Sequence, residues 1–285
     1  MSSSILLTPQ ELQSLTESEK TVIIDTRNPE SYATGHIPGA VNIHDIFTFL
    51  AKSTAEGIAE LKQSFAQSFG AVGLSGAETA VIYEDSMNTG FGQSCRGYFL
   101  LNYLGYPKVA ILHGGYQAWL AAGMPSSSEI PTVTAVEFPL KDTGNELMID
   151  KDDVLTAIND GSKVLLDVRD VDEWIATSSS PYGKDFCPRK GRLPKARWIE
   201  WYRLMKPGAV ALFKSPEEVL AECASVGINK DTPVYLYCFK GARAANTLVA
   251  LKSAGIKDVK LYFGSWNEWS RDENLPIEEG LPYAS

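Results

Sequence analysis

A single cysteine ends an apolar run in the second half of the chain. The run at 234–237 stops at Cys238, which opens the sequence C-F-K-G-A-R ahead of a helical pattern. A strand-to-helix loop directs several backbone N–H groups to one point, and these donors bind an anion together with the positive end of the helix. Lys240 and Arg243 add positive charge, and Gly241 lets the loop curl around a bound group. Because these effects lower the pKa of a thiol, the pattern predicts that Cys238 is a nucleophile.

The other three cysteines lack this setting. Cys95, Cys187 and Cys223 are scattered along the chain without a C-x-x-C pair, so the spacing indicates neither a disulfide framework nor a zinc site. Cysteine is among the most frequently buried residue types. We therefore predict that these three thiols are packed in the interior.

The chain contains one pattern twice. The segment TVIIDTRNPESY at 21–32 returns as KVLLDVRDVDEW at 163–174, and LHGGYQAW at 112–119 returns as YFGSWNEW at 262–269. Two further pairs lie between them in the same order: GHIPGAVNI with GRLPKARWI, and TAVIYE with PVYLYC. The offsets between the copies are 142, 156, 154 and 150 residues. Such regular self-similarity indicates two homologous domains.

The repeat also defines the domain boundaries and the fold class. We predict domains at 1–128 and 145–285, with a linker at 129–144. The signals for this boundary are the Ser/Pro-rich stretch SSSEIPTVT around 126–134 and the polar stretch KDTGN a little further on. Within each copy, short β-rich apolar runs alternate with longer helical patterns, which predicts an α/β fold with a parallel sheet flanked by helices. Ligands bind beyond the carboxyl ends of such strands. Cys238 lies at one of these ends.

The first copy serves as an internal control for the second. Its counterpart of Cys238 is Glu84, followed by a longer loop, so we expect the first copy to be inactive. The Asp-x-Arg pairs at 25–27 and 167–169 occur in both copies. A structural ion pair is therefore the favoured interpretation of this motif.

Composition excludes several function classes. A net charge of −9 argues against a nucleic-acid partner, which requires clustered Lys and Arg. No apolar run approaches the length of a membrane span, and the N-terminus does not read as a signal peptide. With sparse cysteines, these features predict a cytoplasmic protein. No metal-binding, phosphate-loop or complete dinucleotide motif occurs, so we expect neither a metal nor an organic cofactor.

The combined motifs resemble a known family. Two D-x-R strand ends, a G-H-I-P-G-A segment, a G-G/G-S-x-x-x-W helix start and one cysteine loop are similar to the tandem-domain rhodaneses over roughly 5–280. In that family the first domain is inactive and the second carries the cysteine. The resemblance implies that Cys238 takes the outer sulfur of a small anionic donor as a persulfide and passes it to cyanide or a thiol.

The resemblance also implies a set of substrate-binding residues. The cysteine loop would cradle the sulfur and the anionic part of the donor, and a cation from the segment after the first strand of this copy would complete the site. These residues are Phe239, Lys240, Gly241, Ala242, Arg243, Ala244 and Arg192. For Arg243 and Arg192, donor contact and structural bracing both stay open.

Two donors remain as alternatives. The loop shares Cys238, Lys240 and Gly241 with the C-R-K-G-V-T loop of thiosulfate sulfurtransferases but has Phe239 where they have arginine. The C-G-S-G-V-T loop of 3-mercaptopyruvate sulfurtransferases carries no cation. Because thiosulfate is a dianion, a loop cation favours thiosulfate over 3-mercaptopyruvate.

Two other function classes are less favoured. Cysteine-loop phosphatases use C-x5-R, whereas this chain has C-x4-R, with Ala244 where that arginine would fall. A non-catalytic sulfur-binding or regulatory module usually lacks the cysteine, which is retained here. The sequence does not indicate the physiological acceptor or the oligomeric state.

Overall fold

The computed structural model describes residues 5–143, 146–183 and 186–282. The chain divides into two compact units. The first comprises Met1–Phe49, Ala59–Thr143 and Pro207–Leu212, and the second comprises Leu50–Ile58, Gly144–Lys206 and Phe213–Ser285. Across the described ranges, no helix combines the length and the apolar character that crossing a membrane would require.

The first half of the chain alternates strands with helices. Its elements are β1 (Leu6–Leu7), α1 (Pro9–Ser18), β2 (Thr21–Asp25), α2 (Pro29–Thr34), β3 (Val41–Asn42), α3 (Asp45–Thr48), α4 (Ala55–Ala71), β4 (Thr79–Tyr83), α5 (Gln93–Tyr103), β5 (Val109–Leu112) and α6 (Gly115–Ala121). The five strands form one sheet in the order β1-β5-β4-β2-β3, and every pair is parallel.

The second half repeats this arrangement. Its elements are β6 (Met148–Ile149), α7 (Lys151–Asp160), β7 (Val164–Asp167), α8 (Val171–Trp174), β8 (Arg197–Trp198), a 3₁₀ helix (Trp201–Leu204), β9 (Met205–Lys206), β10 (Leu212–Phe213), α9 (Pro216–Ala224), β11 (Val234–Tyr237), α10 (Ala242–Ser253), β12 (Val259–Tyr262) and α11 (Ser265–Trp269). The second five-stranded parallel sheet has the order β6-β12-β11-β7-β8. The predicted α/β fold with two parallel sheets is therefore confirmed.

The Asp-x-Arg motif forms the same buried ion pair in both units. Asp167 at the end of β7 accepts hydrogen bonds from Arg169 at 2.6 and 3.0 Å, and the Tyr237 hydroxyl donates to it over 2.7 Å. In the first unit, Arg27 Nη2 lies 2.6 Å from the carboxylate of Asp25. The prediction of a structural ion pair is confirmed in both copies. It fixes the strand end next to the one that carries Cys238, because Tyr237 and Asp167 are register partners on β11 and β7.

The described part of the predicted linker lies along the first unit. The Val136 N–H donates to the Gly70 carbonyl over 2.9 Å, and the ring of Phe138 lies 5.6 Å from that of Phe69. This segment therefore adds packing to the first unit.

Candidate functional site

The sulfur of Cys238 sits at the N-terminus of α10. β11 ends at Tyr237, and α10 begins at Ala242, so only four residues join the strand to the helix. The backbone N–H of Gly241 donates to Cys238 Sγ over 3.1 Å. An N–H at a helix N-terminus that points to the sulfur stabilises negative charge there. This geometry suits a thiolate nucleophile.

Gly241 is required by its conformation and by its surroundings. Its φ of +89° lies in the left-handed region, which glycine adopts without a steric penalty. A Cβ at this position would also lie 2.8 Å from Cδ2 of the Phe263 ring. The left-handed turn at Gly241 accompanies the bond from its N–H to the sulfur, and the Phe263 ring leaves no room for a side chain there.

The start of α11 fixes the other side of the loop. The Cys238 N–H donates to Ser265 Oγ over 3.2 Å, and the Trp266 and Asn267 N–H groups donate to the carbonyls of Cys238 and Phe239 at 3.0 and 2.9 Å. Ser265 has a φ of +53°, in the left-handed region that is unfavourable for residues other than glycine. Sequence reasoning missed Ser265 as part of the site. The feature of the sequence that could have identified it is the change from Gly114-Gly115 in the first copy to Gly264-Ser265 in the second.

Arg243 braces the loop through two carboxylates. Its Nη1 donates to Glu173 Oε2 over 2.6 Å and lies 3.1 Å from Asp170 Oδ1, while its Nη2 donates to Glu173 Oε1 over 3.2 Å. Burial opposes the charge, but Glu173 and the neighbouring Cys238 raise the pKa of Arg243 above its usual value. Arg243 is therefore a buried cation near the sulfur that is held by carboxylates, and its contact with the donor stays a prediction.

Phe239 and Lys240, the two loop residues after Cys238, both lie close to the ring of Tyr182. Phe239 is buried, and its ring lies 5.2 Å from the ring of Tyr182. Lys240 Nζ lies 5.4 Å from the centroid of the same ring, within cation–π range. Tyr182 was absent from the predicted site, because nothing in the linear sequence links it to a loop more than fifty residues later.

The remaining predicted residues have structural contacts. Ala242 and Ala244 are buried in the first turn of α10. Arg192 Nη1 donates to the carbonyls of Trp174 and Gly280 at 3.3 and 2.8 Å, and its Nε lies 3.3 Å from Glu278. These contacts tie the segment after β7 to the C-terminal segment. A donor contact by Arg192 stays a prediction.

The other three thiols are buried and poorly suited to be nucleophiles. Burial raises the pKa of Cys187 and that of Cys223 to about 11, and it raises the pKa of Cys95 well above its usual value. These thiols are therefore protonated at neutral pH, which agrees with the prediction that they are packed in the interior.

The first unit holds a carboxyl group where the second holds the thiol. The Gln93 N–H and the Ser94 hydroxyl donate to Glu84 at 2.8 Å each, at the N-terminus of α5. Gly92 before this helix has a φ of +80°, like Gly241 before α10. Although these bonds favour the carboxylate, full burial outweighs them and raises the pKa of Glu84 to about 8. The side chain of Glu84 thus occupies the anion position of its own loop.

Glu84 should make the stability of the first unit depend on pH. Because its folded-state pKa is about 8 and the unfolded value is 4.5, the stability contribution is complete below the unfolded value and is lost as pH rises through about 8. The slope is at most about 1.4 kcal/mol per pH unit. Glu84→Gln is expected to flatten the decline in urea-unfolding stability between pH 5 and 8, whereas Glu137→Gln, at an exposed carboxylate, is not. Equal pH slopes in wild type and Glu84→Gln would contradict this assignment.

The rhodanese-like domain family matches the chain at residues 8–122 and 150–272, once in each half. The chain belongs to the rhodanese family. Each match contains four of the five strands of one sheet, and the second match contains the rhodanese loop that begins at Cys238.

Named relatives cover most of this rhodanese. The sulfur carrier protein TtuD of Thermus thermophilus is 31% identical over 255 residues, covering 87% of each chain. The thiosulfate sulfurtransferase of Azotobacter vinelandii is 28% identical over 276 residues, covering 96% of this chain and 97% of its own. These relatives support sulfur transfer as the reaction class.

Solved structures share the fold. The wild-type structure of EanB has a TM-score of 0.84 at 25% identity, over 98% of this chain and 70% of that chain. The anaerobic ergothioneine biosynthesis enzyme of Chlorobium limicola, in complex with trimethyl histidine, has a TM-score of 0.83 at 24% identity, over 98% of this chain and 71% of its own. At this identity the likeness concerns the fold.

Proposed function

We propose that the second unit transfers sulfane sulfur from thiosulfate to cyanide or a thiol through a persulfide on Cys238. The observation that carries the proposal is the Gly241 N–H directed at Cys238 Sγ at the start of α10. The first unit has Glu84 in the corresponding place, which leaves that copy without a nucleophile.

The reaction has two balanced steps. The Cys238 thiolate attacks the outer sulfur of thiosulfate, the S–S bond of the donor breaks, and sulfite leaves with the electron pair. The acceptor then attacks the outer sulfur of the persulfide, and the electron pair of the broken bond returns to Cys238 as a thiolate. Cyanide becomes thiocyanate, and a thiol becomes a persulfide. The N–H of Gly241 and the charge of Arg243 stabilise the anionic sulfur in both steps.

Lys240 supports thiosulfate over 3-mercaptopyruvate as the donor. Arg243 is paired with Glu173 and Asp170, and the preference for a dianion rests on Lys240, the second cation of the loop. The thiosulfate sulfurtransferase relative agrees with this choice. The retained cysteine and the four-residue spacing to Arg243 argue against a regulatory module and against a phosphatase.

Parallel steady-state kinetics with the two donors test the proposal. We expect a higher kcat/KM for thiosulfate than for 3-mercaptopyruvate. Lys240→Ser is expected to lower the thiosulfate value by about tenfold, the effect of losing one charged hydrogen bond to the donor, with little change for 3-mercaptopyruvate. Lys260→Ser removes a cation from β12 and serves as the control. Far better turnover of 3-mercaptopyruvate by the wild type, or no effect of Lys240→Ser, would transfer the assignment to 3-mercaptopyruvate.

A further inference from the structure

An insertion found only in the second unit carries two half-exposed aromatic rings next to the cysteine loop. In the first unit, Arg27 of the Asp-x-Arg motif donates to the carbonyl of Gly35, eight residues later. In the second unit, Arg169 donates to the carbonyl of Gly191, 22 residues later, so the segment between them is longer. Within the longer segment, Tyr182 is 46% and Phe186 44% exposed. Exposure of one large apolar side chain is common, but two adjacent rings form a patch.

The rings form a continuous row that ends at the residue next to the nucleophile. The ring centroids of Phe186 and Tyr182 are 5.3 Å apart, and those of Tyr182 and Phe239 are 5.2 Å apart. Phe239 is buried and adjoins Cys238 in the chain. We use the name aromatic row for Tyr182, Phe186 and Phe239. Its exposed end, formed by Tyr182 and Phe186, is joined through the buried Phe239 ring to the residue that follows Cys238.

The insertion is anchored at Arg189, three residues after Phe186. Arg189 donates to the carbonyls of Trp269, Ser270, Asp272 and Leu275 at 2.7–2.9 Å. The Trp266 indole N–H donates back to the Arg189 carbonyl over 3.1 Å. A rigid support lowers the entropic cost of binding at an exposed ring.

Two cations flank the exposed rings although the chain is acidic. Lys240 Nζ lies over the Tyr182 ring, and Arg271 donates to the carbonyl of Phe186 and to the side chain of Asn267. The whole chain carries a net charge of −9. The local charge therefore complements an acidic group, and the rings complement an apolar one.

We propose that the aromatic row is the docking site for the sulfur acceptor, and that this acceptor is a protein thiol whose cysteine is preceded by an apolar residue and, before that, by an acidic one. The inference rests on the proposed function, because it concerns discharge of the Cys238 persulfide. The apolar neighbour packs on Tyr182 and Phe186, the acidic one faces Lys240 and Arg271, and the acceptor thiolate reaches the outer sulfur. The Cys238–sulfur bond then breaks, and the acceptor leaves as the persulfide.

Matched cysteine peptides test this docking site. Acetyl-Glu-Phe-Cys-Gly-amide and acetyl-Glu-Gly-Cys-Gly-amide differ only in the side chain that would meet the rings. We expect the wild type to discharge persulfide to the phenylalanine peptide with a kcat/KM about tenfold higher, equivalent to about 1.4 kcal/mol. In the double variant Tyr182→Ala, Phe186→Ala the ratio should fall below about twofold. Phe91→Ala, which removes an exposed ring from the first unit, should keep the wild-type ratio.

Two further readouts separate this inference from the proposed function. Loading of Cys238 by thiosulfate and discharge to cyanide should be unchanged in Phe186→Ala, because Phe186 lies outside the cysteine loop and its ring packs on Tyr182. Absence of loading in the wild type would overturn the proposed function. In that case, calorimetric binding of the S-methylated peptides still reports on the docking site, with tighter binding of the phenylalanine peptide expected only when the rings are intact.

Several outcomes would overturn the docking site. Equal discharge to both peptides in the wild type would indicate a small thiol acceptor, and a tenfold ratio that persists in the double variant would place the apolar contact elsewhere. Replacement of the peptide glutamate by lysine should slow discharge, and an unchanged rate would overturn the acidic part of the proposal. If the double variant does not fold, Phe186→Ala alone, at a half-exposed ring, provides the same comparison.

Discussion

Replacement of Cys238 by serine is expected to lower kcat/KM for sulfur transfer by more than about a thousandfold, the scale of losing an enzyme's nucleophile. A serine hydroxyl is far less acidic than a thiol, and it cannot form a persulfide. The fold should survive, because serine is close in size to cysteine and the loop is held by the backbone bonds to Ser265, Trp266 and Asn267.

Mass spectrometry shows whether the sulfur is stored on this residue. Wild-type protein incubated with thiosulfate and no acceptor should gain one sulfur on the peptide that contains Cys238, and cyanide should remove it. Cys238→Ser should gain none. Alanine at Cys95, Cys187 or Cys223 should leave loading and most turnover intact, since these thiols are buried with raised pKa values. Sustained turnover by Cys238→Ser would refute the nucleophile assignment.

Asp167→Ala is expected to lower the free energy of unfolding of the second unit by about 3–5 kcal/mol, the usual cost of leaving one charge of a buried ion pair uncompensated. Asp167 and Arg169 are both fully buried, and the Tyr237 hydroxyl would also lose its acceptor. Because Tyr237 precedes Cys238, activity should fall together with stability.

The first unit provides the matched control for this substitution. Asp25→Ala breaks the same arrangement with Arg27 and Tyr83 and should destabilise the first unit. Urea unfolding of both variants measures the loss of stability, and turnover of the same samples measures the loss of activity. A loss below about 1 kcal/mol at Asp167, the scale of an exposed pair, would show that the ion pair is not a main support of the strand ends.

The sequence alone contained most of the fold. Strand and helix periodicity, repeated in the same order, predicted two parallel α/β domains, and the apolar run at 234–237 matches β11. The edge strands β1, β3, β6 and β8 escaped prediction. Each has only two residues, so its pairing is set by the neighbouring strand, and local apolar pattern carries no signal for it.

The sequence also placed the thiol at the start of a helix, because a strand end, a glycine and a helical pattern are all local features. Tertiary structure decided which residues surround it. Glu173 is 70 residues from Arg243 in the chain, and Ser265 is 27 residues from Cys238. Tyr182 reaches the loop from the insertion in the connection between β7 and β8. These contacts arise because parallel strands bring the loops that follow them to one edge of the sheet, and a linear pattern does not say which side chains meet there.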